Sequence, residues 1–72
     1  MSTAADFHQL CRQILALQSG GANMAFAQSY ARRGLTMTDD EEIHSQALYI
    51  AANLGGWRGP EAREAKRRLA QF

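Results

Sequence analysis

The side chains of this 72-residue chain that most invite a test for covalent or acid–base chemistry are two histidines, His8 and His44, one serine beside a histidine, Ser45, and one cysteine, Cys11. A nucleophile–base pair needs side chains that converge, with a carboxylate to orient the base. His44 and Ser45 are sequence neighbours, and on a helix neighbours point in different directions. Neither histidine has a carboxylate at supporting spacing. Cys11 falls on an apolar stripe, where it reads as a small buried hydrophobe rather than a nucleophile. One cysteine and two distant histidines cannot supply four tightly spaced zinc ligands. The run Asp39-Asp40-Glu41-Glu42 lacks the alternating oxygen ligands and central glycine of an EF-hand loop. A chain this short has little room for a pocket that excludes water. The expectation is therefore a protein that is not an enzyme and holds no cofactor and no metal.

What remains is charge. Eight Lys and Arg stand against seven Asp and Glu, a net charge of +1. That balance gives no overall pull toward nucleic acid, but the distribution is uneven. The four acids at 39–42 are consecutive, whereas Arg58, Arg63, Lys66, Arg67 and Arg68 face only Glu61 and Glu64. Between the two clusters lies Leu54-Gly55-Gly56-Trp57-Arg58-Gly59-Pro60-Glu61, which stops one helix, turns and starts another. Trp57 is expected to fold back as a lid between those helices. The competing reading makes Trp57 and Arg58 an interaction hot spot, since both residue types are enriched in such spots.

The elements that must position these residues are helical. Phe7, Leu10, Cys11, Ile14 and Leu17 recur at helical spacing over 4–18, with Ser2 or Thr3 as cap and Asp6 in the first turn; Leu15 falls off the stripe. Gln18-Ser19-Gly20-Gly21 ends this helix. A second covers 22–33, with Met24, Ala27 and Ala31 on one face and Phe26 and Tyr30 on the next. Arg32 and Arg33 complement its C-terminal dipole, and Gly34 reads as a left-handed stop. Thr38-Asp39-Asp40-Glu41 fits a capping box that opens a third helix over about 39–54. Ile43, Ala47, Ile50, Ala51 and Leu54 give that helix the most regular apolar stripe in the sequence, with Gly55 as its stop. Gly59-Pro60 opens the fourth, with Ala62, Ala65, Leu69 and Phe72 inward and Glu64 four residues before Arg68. No strand pattern, repeat or low-complexity tail is present.

The sequence thus predicts one all-α domain, residues 1–72, a compact bundle of four short helices. The expected core is Phe7, Leu10, Ile14, Leu17, Met24, Phe26, Ala27, Tyr30, Ile43, Ala47, Ile50, Ala51, Leu54, Trp57, Leu69 and Phe72. A core this small is marginal, and no disulfide or metal reinforces it, so pairing with a second copy or with a partner is the remaining source of burial. With one free thiol, no signal-peptide pattern and no membrane-length apolar run, the expected location is the cytoplasm.

The partner-binding candidates are Asp39, Asp40, Glu41, Glu42, Trp57, Arg58, Arg63, Lys66 and Arg67. The acids suit a basic groove, such as one that normally holds nucleic acid. The C-terminal cations suit an acidic protein surface or a few phosphates, although no aromatic pair is interleaved with them for base stacking. In a helix-turn-helix reading, the would-be recognition helix opens with four carboxylates, which a duplex repels.

The C-terminal third, Ala47-Leu48-Tyr49-Ile50-Ala51-Ala52-Asn53-Leu54-Gly55-Gly56-Trp57-Arg58-Gly59 followed by Ala62, Ala65, Lys66 and Leu69, resembles a segment of short uncharacterised helical proteins of bacteriophages and bacterial mobile elements. The resemblance implies a bacterial setting and a host protein or protein complex as partner, as in anti-CRISPR proteins and other host-takeover inhibitors. It carries no functional residues with it. Protein binding is the leading expectation, weak nucleic-acid binding by the last helix the second, and an oligomeric assembly subunit the third.

Overall fold

The computed structural model describes residues 3–18 and 21–72. These residues form four α-helices in chain order: α1 (Thr3–Leu15), α2 (Met24–Gly34), α3 (Asp40–Ala52) and α4 (Pro60–Leu69). No strand occurs among them, and none of the helices is long and apolar enough to cross a membrane. α1 packs on α2, α2 on α3, and α3 on both α4 and α1.

One connected core explains this arrangement. α1 contributes Phe7, Leu10, Cys11 and Ile14, and α2 contributes Met24, Ala27 and Ala31. α3 adds Ile43, Ala47 and Ile50, the corner adds Leu54 and Trp57, and α4 adds Ala62, Ala65 and Leu69. Alanines line the inner faces of α2, α3 and α4, so the helix backbones can approach closely around the larger side chains of α1. The last residue, Phe72, turns back to α1 and meets Phe7 edge to face, with ring centroids 5.3 Å apart.

Four side chains make five hydrogen bonds to main-chain carbonyls that tie the elements together. His8 Nε2 lies 2.6 Å from the Met37 carbonyl oxygen and links α1 to the α2–α3 turn. Gln28 Nε2 donates to the carbonyls of Leu17 (2.8 Å) and Ile14 (3.2 Å), so a side chain of α2 ties itself to the carbonyls where α1 ends. Gln46, the one buried polar side chain among the described residues, donates to the Tyr30 carbonyl at 2.7 Å. Lys66 Nζ donates to the Trp57 carbonyl at 2.9 Å.

Several local expectations are corrected. The cap of α3 is Asp39, whose carboxylate accepts from the Glu42 N–H at 3.1 Å, and not Thr38 with Glu41. Gly34 is not left-handed; it is the last residue of α2, and the chain leaves through tight turn bonds from Thr36 to Arg33 and from Met37 to Gly34. Its real role is steric. A Cβ there would stand 2.8 Å from Phe7 Cε2 and 3.0 Å from Cys11 Sγ, so the missing methyl is what lets α1 seat against α2. α3 stops at Ala52 rather than at Gly55; the Asn53 side chain takes the Tyr49 carbonyl at 2.9 Å. Glu64 pairs with Arg67, three residues on, and not with Arg68. The proline start of α4 is as expected, with Gly59 as cap at φ 108°.

The core also differs in membership. Phe26 is 61% exposed, because the broad apolar arc of α2 is wider than the groove that receives it. Leu17, Tyr30, Ala51 and Phe72 are half-buried at the core margin, and so is Leu15. α3 is the least one-sided of the four helices rather than the most regular, since Leu48 and Tyr49 add apolar surface on its outer side. The Ser2 cap and the Ser19-Gly20 stop fall outside the described residues.

Gly34→Ala is expected to lower stability by about 1–2 kcal/mol, because crowding in a packed core outweighs the helix-propensity gain of about 1 kcal/mol. Gly55→Ala, with open space around it, is expected to stay within about 0.5 kcal/mol. Urea unfolding of the two variants checks the contrast.

Candidate binding surface

The charged residues singled out in the sequence separate into two groups at opposite ends of α3. At its N-terminus, Asp39 is occupied as the cap. Asp40, Glu41 and Glu42 are exposed in the first turn, where the helix dipole favours negative charge. None of the three takes part in a salt bridge among the described residues. Thirteen residues of helix, about 20 Å at 1.5 Å per residue, separate them from the corner that carries Trp57 and Arg58.

That corner is mainly architectural. Trp57 is buried, 7% exposed, as the lid between α3 and α4. Lys66 is half-buried and bound to the Trp57 carbonyl. Arg67 makes a two-pronged contact with Glu64, through Nε at 3.1 Å and through the terminal Nη2. The guanidinium holds the Glu64 carboxyl below its usual range, and the carboxylate raises the arginine in return. Both partners are well exposed, so the pair orders the face more than it stabilises the fold. Arg58 and Arg63 remain exposed, beside an open cleft shared with Trp57, Gly59 and Lys66.

The chemistry-bearing residues do not converge. His8 is engaged with the Met37 carbonyl, while His44 and Ser45 are exposed on α3. No group of three His, Cys, Asp or Glu side chains that could hold a metal ion occurs among the described residues. Cys11 is fully buried, and burial pushes its thiol up to about 11, with Arg12 pulling weakly the other way.

The surface that sequence reasoning missed lies between α2 and α3. The rings of Tyr30 and Tyr49 stack at 5.6 Å with an interplanar angle of 22°. Tyr49 is 55% exposed, and Phe26, one helical turn before Tyr30, adds a further exposed ring. Helical spacing puts Phe26 on the same side of α2 as Tyr30, so Phe26 and the stacked tyrosines make an aromatic seam along that side. Gln46, held to the Tyr30 carbonyl, connects the seam to an open hollow of about 330 Å³. Met37, Asp39, Glu41, Glu42, Ser45 and Gln46 line that hollow, so carboxylates flank the aromatic surface. The available signal was the triplet Leu48-Tyr49-Ile50: three successive large apolar residues cannot all face one side of a helix, and only Ile50 reaches the core.

Comparison with protein families, with curated proteins and with solved structures finds no match for this chain.

Two outcomes follow from the geometry. Lys66→Met is expected to lower stability by about 1–2 kcal/mol, since it removes a charged donor from a half-buried carbonyl, whereas Arg63→Met is expected to stay within about 0.5 kcal/mol. Thermal unfolding separates the two. Between pH 9 and pH 11 the unfolded chain releases its thiol proton while folded Cys11 retains it, so stability falls as pH rises through this window. Cys11→Ala is expected to remove about 2 kcal/mol of that fall, as read from the slope of unfolding free energy against pH.

Proposed function

We propose that this chain is a small binding protein that acts without catalysis, by covering a surface on a partner protein. The observation that carries this reading is the exposed seam of Phe26, Tyr30 and Tyr49. Three rings gathered on one face of so small a domain are unusual unless something covers them, and rigid aromatics are the residues that dominate protein interfaces. The exposed carboxylates of Asp40, Glu41 and Glu42 beside the seam suit a partner whose facing surface is basic. The resemblance of the C-terminal third to phage and mobile-element proteins supports a more specific form of the same reading. In that form the chain inhibits a bacterial defence or regulatory complex, in the manner of anti-CRISPR proteins, within the host cytoplasm.

The nucleic-acid alternative draws less support. Lys66 and Arg67 are engaged within the chain, and the stacked tyrosines lie on α2 and α3, beside acids, rather than on α4.

Capture from bacterial lysate with immobilised wild-type protein, Phe26→Ser and the triple Asp40→Lys/Glu41→Lys/Glu42→Lys variant tests the reading. Phe26→Ser is expected to fold normally and to retain at least about tenfold less of the captured partner, the scale of an interface anchor. The triple variant is expected to lose a basic partner as well. A capture profile for Phe26→Ser that matches wild type overturns the proposal.

A further inference from the structure

Trp57 is enclosed by the fold, yet its indole N–H has no partner. The residue is 7% exposed, and its hydrogen bonds run only through its main chain, from its backbone N–H to the Leu54 carbonyl and from Lys66 to its own carbonyl. A buried indole N–H ordinarily finds an acceptor. Among the described residues, no side-chain nitrogen or oxygen that is sealed from solvent lacks a partner, so this N–H opens outward. The opening that Trp57 lines is the cleft of about 270 Å³ at the α3–α4 corner.

Every polar side chain lining this cleft is a donor. Arg58 and Arg63 bring guanidinium groups, Lys66 an ammonium and Trp57 the indole N–H; the other lining residues are glycine and alanine. Arg58 and Arg63 are exposed and take part in no salt bridge among the described residues. Lys66 gives one of its three N–H groups to the Trp57 carbonyl, which holds the ammonium at the cleft wall and leaves two for a ligand. The acids of α4 do not neutralise the group. Glu64 is paired with Arg67, and Glu61 does not line the cleft. Three cations around one small space repel one another, and an anion between them relieves that repulsion. The start of α4 adds to the same field. Pro60 has no N–H and Gly59 has no side chain to act as cap, so the first free amides, those of Glu61 and Ala62, lack an intrahelical acceptor.

We propose that this cleft binds a phosphoryl group, the dianionic end of a small phosphate monoester. The monoester carries nearly two charges and three strong acceptor oxygens, enough to serve two guanidinium groups, an ammonium and an indole N–H together. A carboxylate has one charge and two oxygens for the same four donors. The volume lies just under the roughly 300–1,000 Å³ of pockets that enclose whole ligands, so the cleft takes the charged group and leaves the rest of the molecule outside. A nucleic-acid backbone fits less well. Each of its phosphates brings a single charge, and non-specific strand binding couples charge to aromatic faces on which bases stack, whereas Trp57 offers an N–H and almost no open ring. The cleft shares no residue with the aromatic seam or the acidic turn, so it stands or falls separately from the partner proposed above.

The chain has one tryptophan, so its ¹H–¹⁵N spectrum holds one indole signal, and that signal reports on the cleft directly. The purified chain is titrated at low salt and about pH 7.5, where a phosphate monoester is a dianion, with inorganic phosphate and with glycerol phosphate. Both are expected to move the indole proton downfield and to saturate with a dissociation constant on the order of 1 mM. Sodium chloride of equal ionic strength is expected to leave the signal in place. An indole signal that moves no further in phosphate than in chloride overturns the proposal. The Arg58→Met/Arg63→Met variant is expected to keep the wild-type backbone signals of α1 and α2 and to bind both phosphates at least about tenfold more weakly; undiminished binding by this variant places the anion elsewhere and overturns the proposal. A short single-stranded DNA oligomer, compared at equal phosphate concentration, is expected to move the indole signal less than glycerol phosphate does. Half-saturation by the oligomer at the lower phosphate concentration makes the cleft a reader of nucleic-acid backbone and overturns the assignment to a monoester.

Discussion

The ring of Phe7 sits where three parts of the chain converge. It is fully buried, it fills the space left by the absent side chain of Gly34, and it receives the edge of Phe72 from the end of the chain. Through these contacts α1 is held to α2 and to the segment after α4 by one side chain. The other three helices bring five alanines to the core beside Met24, Ile43, Ile50 and Leu69, and none of them supplies a buried aromatic ring. Removing a buried aromatic side chain from such a core costs about 3–5 kcal/mol, a large part of the 5–15 kcal/mol that separates folded from unfolded domains.

Around that ring the fold relies on short-range packing and not on ion pairs. The one salt bridge among the described residues lies on the exposed face of α4, where it contributes little. The exposed acids of α3 and the exposed arginines of the α3–α4 corner take no part in that pair, and they are segregated. The acids gather at the start of α3 and the free arginines at the far corner. Aromatic and aliphatic surface lies between them on the outer sides of α2 and α3. A domain of this size cannot enclose all its large apolar side chains. The large apolar residues it leaves outside are Phe26, Leu48 and Tyr49, two of which belong to the aromatic seam.

Much of this architecture was legible in the sequence, and the reasons are physical. Helical spacing of Phe7, Leu10, Ile14 and of Ile43, Ala47, Ile50 named the inward faces, and Gly59-Pro60 marked the start of α4 because both residues suit a helix entry. Trp57 at the corner was recognisable as a lid. The errors arose where local chemistry offered two answers. Thr38 and Asp39 are both good caps, and the carboxylate took the role. Glu64 can reach a cation three or four residues on, and it chose the nearer. Gly34 reads as a stop by type, whereas its use is the space beside Phe7, a contact 27 residues distant in sequence that no local pattern encodes. Phe26 was placed inside on apolarity alone, although a broad arc on a short helix must leave one edge in water.

The ties between elements have a lopsided character. In each of them a particular side chain, His8, Gln28, Gln46 or Lys66, meets a main-chain oxygen that any amino acid at the acceptor position would offer. Met37, Leu17, Tyr30 and Trp57 take part through atoms that their identities do not alter. Half of each tie is therefore written in the residue alphabet and half in the shape of the backbone. Paired substitutions across related chains would leave these junctions silent, because the donor has no opposite letter with which to change.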